Sequence, residues 1–260
     1  MSFDHPETRY AAAVEYDGGC FYGFQRQAQE PTVQSVLEHA LGAVANHPVI
    51  VHGAGRTDTG VHASAQIIHF CSPARRSVRS WMLGANSKLP EACVVRWVRE
   101  VGGDFHARFS ATSRRYRYSI LNRSVRPVLR RSTEAWVREE LNEQSMQHAA
   151  RALVGEYDFD AFRASSCQAD HAVRRIFSLV VTRQENRVFV DIHGNAFLHH
   201  MVRNIVGSLI LVGTGEKTSD WLQDVLRSRD RRNAGPPAQV ALNYVALAVR
   251  RHNAPRHVPP

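Results

Sequence analysis

The residues best suited to chemistry lie in Gly53-Ala54-Gly55-Arg56-Thr57-Asp58-Thr59-Gly60-Val61-His62-Ala63, where Arg56 and Asp58 stand two residues apart among three glycines. Glycines allow backbone angles and close approaches that other residues forbid. A loop of this kind can hold one carboxylate in a fixed pose, and an oriented Asp with no metal or cofactor motif beside it points to nucleophilic chemistry by the protein alone. The same residues also fit a plain polar turn in which Asp58 bonds its own backbone. They do not fit a phosphate cradle. The spacing is neither Gly-x-x-x-x-Gly-Lys-Ser/Thr nor a Gly-x-Gly-x-x-Gly that opens a helix.

The elements that must position this loop can be read from periodicity. Tyr10–Tyr16 reads as a strand ending at Asp17-Gly18-Gly19, followed by a loop of exposed aromatics, Phe21, Tyr22 and Phe24. Thr32 opens a helix, with Val33, Val36, Leu37, Ala40, Leu41 and Val44 at helical spacing. Val49–Val51 and Gln66–Phe70 are expected as strands on either side of the Asp58 loop, then a helix over 77–84 and a strand over 93–98. A second half starts with a strand over 116–120. It continues with a helix over 145–154, strands over 176–182 and 187–193, helices over 198–212 and 219–226, and a strand over 240–249.

Each half mixes antiparallel strands with helices, which predicts an α+β fold. Two pseudo-symmetric halves of split βαβ, RNA-recognition-like type are expected, forming a mainly antiparallel sheet with helices packed on it. The expected divisions are a disordered N-terminus over 1–8, an N-terminal half over 9–110 carrying the Asp loop, a C-terminal half over 111–249, and a disordered tail over 250–260 rich in Pro, His and Arg.

Composition narrows the partner. Of 33 basic residues only Lys88 and Lys217 are lysines, leaving 31 arginines, and the formal net charge is +9. GC-rich codons account for Arg over Lys but not for the positive excess, which points to a polyanion. No apolar run approaches the ~20 residues that span a bilayer. Residues 1–7 are polar and acidic, unlike a secretory signal. Cys20, Cys71, Cys93 and Cys167 form no Cys-x-x-Cys pair, as expected of reduced thiols in a cytoplasmic protein.

Three further segments carry chemistry. Asp104–Tyr118 interleaves arginines with aromatics, a combination that grips phosphates and stacks bases, or else forms an edge strand with solvated arginines. Gly194–Gly207 places Arg203 and Asn204 beside apolar positions, and a partly buried Arg calls for a partner charge. Tyr157–Ala164 is an aromatic-acidic loop that could serve only as an anchor. His62, His199 and His200 raise the question of a metal. Adjacent histidines on a helix point about 100° apart, however, and no His-Glu-x-x-His or Cys/His signature accompanies them. Neither metal nor cofactor is expected, and no Ser nucleophile elbow is present.

Gly55–Ala63 resembles the signature loop of the TruA-type tRNA pseudouridine synthases. So do Glu15-Tyr16-Asp17-Gly18, Phe21–Gln27, Phe105–Phe109, Ser113–Tyr118 and Asn195–Gly207, in the family's order. Phe24 stands where the family usually has Trp, and 168–174 and 234–244 depart from its usual pattern. The resemblance implies a cofactor-free isomerase of uridine at positions 38 to 40 in the anticodon arm of tRNA, acting as a homodimer, with a cleft between the halves. It makes Asp58 the nucleophile, Tyr116 the ring stacked on the target base, Arg203 the partner of Asp58 and Arg56 the replacement for the flipped nucleotide. Leu242 would line the pocket. A catalytically silent tRNA-binding protein of the same fold is the alternative.

A basic RNA binder releases counterions when it engages phosphates. Raising monovalent salt from about 50 to about 200 mM should therefore weaken tRNA binding by about two orders of magnitude or more. A binding titration that stays flat over this range would contradict an arginine-lined RNA surface.

Overall fold

The computed structural model describes residues 7–249. They divide into two units: one runs through Thr112 and takes up the chain again from Tyr244, and the other is Ser113–Asn243. The described residues hold five α-helices, and each unit contains antiparallel strand pairs, so the fold is α+β.

In the first unit, β1 (Thr8–Tyr16) is central, pairing antiparallel with β3 (His62–Ser72) on one side and β4 (Cys93–Val101) on the other. Its run from Tyr10 to Val14 is buried throughout, because both faces of this strand are covered. On one face Tyr10 stacks on Phe70 at 5.2 Å and meets Trp81 of α2 (Val78–Asn86) at 5.4 Å. On the other, Ala11 and Ala13 leave room for Ala54, Ile67, Phe105 and Ala107. Small residues on β1 thus let two loop segments pack directly on the sheet.

The helix α1 (Val33–Ala45) begins as its sequence predicts. Thr32 accepts a hydrogen bond from the Ser35 amide at 3.2 Å, and the Ser35 hydroxyl accepts from the Thr32 amide at 3.0 Å. This reciprocal cap satisfies two amides that the first turn leaves open. Asn46, at φ 59°, ends the helix.

Several expectations are corrected. Val49–Val51 is not a strand. Val51 donates its amide to Glu38 and its carbonyl accepts from Gln34, so α1 side chains take the bonds a ladder would use. The pairing moves on to β2 (His52–Gly53), opposite His69 and Ile68 of β3. Of the aromatics expected to be exposed, only Tyr22 is; Phe21 and Phe24 are buried. The disordered ends fall on residues outside those described, apart from Glu7 and Thr8, and Thr8 already lies in β1.

The second unit contains β5 (Ala111–Asn122, whose first two residues belong to the first unit), β7 (Gly155–Asp158), β8 (Val173–Gln184) and β9 (Arg187–Gly194), in the order β5-β9-β8-β7. The short β6 (Ala135–Val137) joins β5 in parallel. Helix α3 (Glu143–Arg151) starts two residues before its expected position because Asn142 caps it, accepting from the Ser145 amide at 2.9 Å. Helix α4 (Met201–Gly213) starts three residues late, after His200 at φ 58°. Helix α5 (Trp221–Ser228) follows, and β10 (Leu242–Val249) belongs to the first unit from Tyr244 on.

The first unit also buries a group that matters to stability. His69 on β3 is 3% exposed, its Nδ1 accepts from the Ala107 amide at 3.2 Å, and its ring lies 4.8 Å from that of His52 and 4.5 Å from that of His106. Burial, aided by His106, His52 and Arg9, pushes its pKa down to about 3. In the unfolded chain the ring takes a proton near pH 6.5, so between about 6.5 and 3 the unfolded state binds more protons. The stability that neutral His69 contributes is complete above pH 6.5 and is lost as pH falls toward 3. Thermal melts across this range should show a shallower acid loss of Tm in His69→Gln than in the unaltered protein. Parallel curves would show that His69 does not carry this dependence.

Candidate active site

The Asp58 loop joins β2 to β3 and is fixed through its backbone. Asp58-Thr59-Gly60-Val61 forms a β-turn in which the Val61 amide donates to the Asp58 carbonyl at 3.1 Å. Gly60, third in this turn, sits at φ 81°, a conformation that favours glycine. Before the turn, the Thr57 carbonyl accepts from the Phe24 amide at 3.0 Å, and the Thr57 hydroxyl bonds the Tyr16 hydroxyl at 2.8 Å in a buried setting. Beyond the Asp, the Gly60 amide donates to Gly18 and the Gly18 amide donates to His62 Nδ1. His62 Nδ1 also lies 2.9 Å from the Asp17 carboxylate.

The N-terminal side of the loop is held as firmly. Ala54 donates its amide to Ile67, and Gln66 donates its side-chain amide to the Gly55 carbonyl at 2.7 Å. A Cβ at Gly53 would lie 2.5 Å from the Phe24 ring, so glycine here lets Phe24 tuck under the strand. Asp58 itself is half-buried, and Arg56 is exposed. The loop therefore presents a carboxylate from a backbone bonded on both sides, with a guanidinium two residues away facing solvent.

The remaining predicted residues belong to the second unit. Tyr116 lies on β5 opposite Ile192 of β9, buried, with its ring edge-on to Phe197 at 5.4 Å. Arg203 sits in the first turn of α4, half-buried as its apolar neighbours imply. Its Nε donates to the Ala238 carbonyl at 2.9 Å and its own carbonyl accepts the Ala238 amide at 3.0 Å. A further guanidinium nitrogen lies 3.4 Å from His200 Nε2. Leu242, the first residue of β10, is buried.

His199 and His200 are not on a helix. They form the turn before α4, with rings 4.0 Å apart, because the left-handed backbone of His200 precedes the first helical residue. The helical-spacing argument applied to them does not hold. His199 Nδ1 pairs with the Ser166 hydroxyl at 3.2 Å, and its carbonyl accepts from the Ala164 amide.

Sequence reasoning missed how the atypical segment 234–244 is anchored. Gly235 donates its amide to the Ser208 hydroxyl at 2.9 Å, Ala238 is clamped by Arg203, and Gln239 accepts from the Tyr118 hydroxyl at 2.7 Å. Ser119 of β5 then donates its amide to Ala241. Burial pushes the Tyr118 phenol up, against a smaller opposite pull from Arg203, so it remains a donor at neutral pH. The available signal was the alternation of β5, which puts Tyr116 and Tyr118 on the same face of the strand.

Comparison with known proteins places the chain in a family. A family description for tRNA pseudouridine synthase matches residues 12–110 and 149–245, which include Asp58, Tyr116's partner strand β9, Arg203 and Leu242. The tRNA pseudouridine synthase A of Stenotrophomonas maltophilia (strain K279a) is 54% identical over 231 residues, covering 88% of this chain and 90% of that protein. That of Xanthomonas campestris pv. campestris (strain B100) is 54% identical over 232 residues, with the same coverage. Among solved structures, a chain of a Cbf5-Nop10-Gar1 complex is similar at 12% identity and a TM-score of 0.37, covering 77% of this chain and 45% of that one. The chain belongs to the tRNA pseudouridine synthase family.

Proposed function

We propose that this protein converts uridine to pseudouridine at positions 38 to 40 in the anticodon arm of tRNA, as a cytoplasmic homodimer, with Asp58 as nucleophile. The observation that carries this reading is the Asp58 turn. Main-chain bonds on both sides hold a half-buried carboxylate in a family whose reaction needs one. No helix among the described residues is long and apolar enough to cross a membrane.

The reaction breaks the bond between uracil N1 and ribose C1′, turns the ring, and rejoins C1′ to C5. N1 gains a proton and the hydrogen on C5 leaves to solvent. A uracil held in a stacked stem cannot turn, so the nucleotide must first be flipped out, at a cost of a few kcal/mol. Tyr116 offsets part of that cost by stacking on the flipped base, and Arg56, exposed beside the Asp58 turn, fills the vacated place. Arg203 supplies the positive charge that keeps the nucleophile ionised. Its hold on Ala238 would keep it in place for that task. Leu242 lines the base pocket.

Release of tritium from C5-labelled uridine in tRNA reads this reaction directly. Asp58→Asn should keep the circular dichroism spectrum and tRNA affinity of the unaltered protein while losing about three orders of magnitude or more in rate. Label release by Asp58→Asn at the normal rate would sink the assignment. Binding of tRNA by the unaltered protein without any release would favour a silent binding protein instead.

A further inference from the structure

Away from the Asp58 turn, the bend Phe105-His106-Ala107-Arg108-Phe109 carries a feature that the reaction does not use. Phe105 and Ala107 are buried against β1, which pins the bend to the sheet. Phe109, at its tip, is 77% exposed. A single exposed apolar residue needs no explanation by itself; what sets Phe109 apart is how its ring is held.

Here the support is a run of rings. Phe109 lies 4.3 Å from the His106 ring at an interplanar angle of 33°. His106 packs at 4.5 Å on buried His69 and at 5.6 Å on His52. The His106 ring is fixed in turn, since its Nδ1 accepts from the Arg108 amide at 3.2 Å and the Phe109 amide at 3.4 Å. The bend is closed by Ser110, which donates its amide to the His106 carbonyl at 2.8 Å and accepts the His106 amide at 3.1 Å. Burial, then His52, Arg9 and Arg108, lowers the pKa of His106, so this ring backs Phe109 as a neutral aromatic.

The charge beside the ring selects its partner. The Arg108 guanidinium stands 5.7 Å from the Phe109 centroid, and Arg9 donates to the Phe105 carbonyl beneath the bend at 2.8 Å. A flat apolar face beside cations suits a nucleobase with its phosphate better than a hydrophobic peptide. Stacking on aromatics with arginine on the backbone is how single-stranded bases are held. We propose that Phe109 is a stacking platform for an unpaired tRNA base other than the uridine being isomerised, with Arg108 on an adjoining phosphate. The proposal rests on the reading of this chain as an enzyme acting on tRNA.

Three full-length variants, Phe109→Ala, Phe109→Tyr and Arg108→Ala, test it through tRNA affinity by fluorescence anisotropy, tritium-release kinetics and sedimentation. Phe109→Ala should raise both Kd and KM about tenfold, equivalent to about 1.4 kcal/mol, with the change falling on KM and not on kcat. Phe109→Tyr should restore affinity, and the salt slope of Phe109→Ala should match the unaltered protein, because no charge is lost. Arg108→Ala should lower that slope by about one. A Kd for Phe109→Ala within twofold of the unaltered value, or equal losses in Ala and Tyr, would overturn the platform. So would a drop in the sedimenting mass of Phe109→Ala, which would make the ring a subunit contact. If the unaltered protein binds tRNA but releases no tritium, the isomerase reading fails, and the Kd values alone still decide the platform.

Discussion

The buried hydrogen bond between the hydroxyls of Tyr16 and Thr57 is the constraint on which the Asp58 loop depends. Tyr16 is the last residue of the central strand β1, so its position is set by pairing to both β3 and β4. Thr57 immediately precedes Asp58. Through this bond the central strand of the first unit fixes the residue beside the carboxylate. A neutral buried bond contributes only about 1 kcal/mol net, yet leaving either hydroxyl unpaired costs about 1–3 kcal/mol. Main-chain bonds to Phe24, Gly18 and Val61, which no side-chain substitution removes directly, add to this bond, as do the Gln66 side chain on Gly55 and His62 on the Gly18 amide. The pose of Asp58 therefore depends on Tyr16, Thr57 and Gly60, with Gly53, Gln66 and His62 holding the loop on either side.

The same strand explains why two separate loops meet the sheet on one face. Alanines at 11 and 13 are small enough for Ala54 and for Phe105 with Ala107 to pack on β1. Larger residues there would push both segments away, since a core at crystal-like density has no slack for extra methylenes. The Asp58 loop and the Phe109 bend thus share one foundation. His69, on the neighbouring strand opposite Ala11, completes it by binding the Ala107 amide.

Much of this was legible in the sequence wherever one local signal governed the outcome. The Thr32 cap, the apolar run of β1, and β9 with its alternating burial appear close to where periodicity puts them. The signals failed where a partner distant in sequence decided. Val49–Val51 looks like a strand, but Gln34 and Glu38 reach across from α1 and take the bonds of Val51. Phe21 and Phe24 follow a glycine-rich turn and look exposed, yet the bare Cα of Gly53 opens a place for Phe24. The start of α4 moved to Met201 because His200 adopts a left-handed backbone that its neighbours do not announce. Asp58, Tyr116 and Arg203 were picked out by residue type and resemblance. Tyr118 reads in the sequence as part of an RNA-gripping segment and Ser208 does not stand out at all, whereas both hold 235–239.

The arginines raise a further point about how charge and structure are combined. Arg9, Arg114, Arg123, Arg183 and Arg203 each donate to backbone carbonyls, and Arg117 forks onto Asp191 at 2.8 and 2.9 Å. A guanidinium has five donors in a plane and stays charged when partly buried, whereas an ammonium offers three and neutralises more readily. An arginine can therefore pin a loop without giving up its charge. Long-range attraction of a polyanion depends on net charge and its distribution, not on which side chains are free of protein contacts. The +9 of this chain thus acts on a polyanion through arginines that also hold the fold, and the same side chain can serve both purposes.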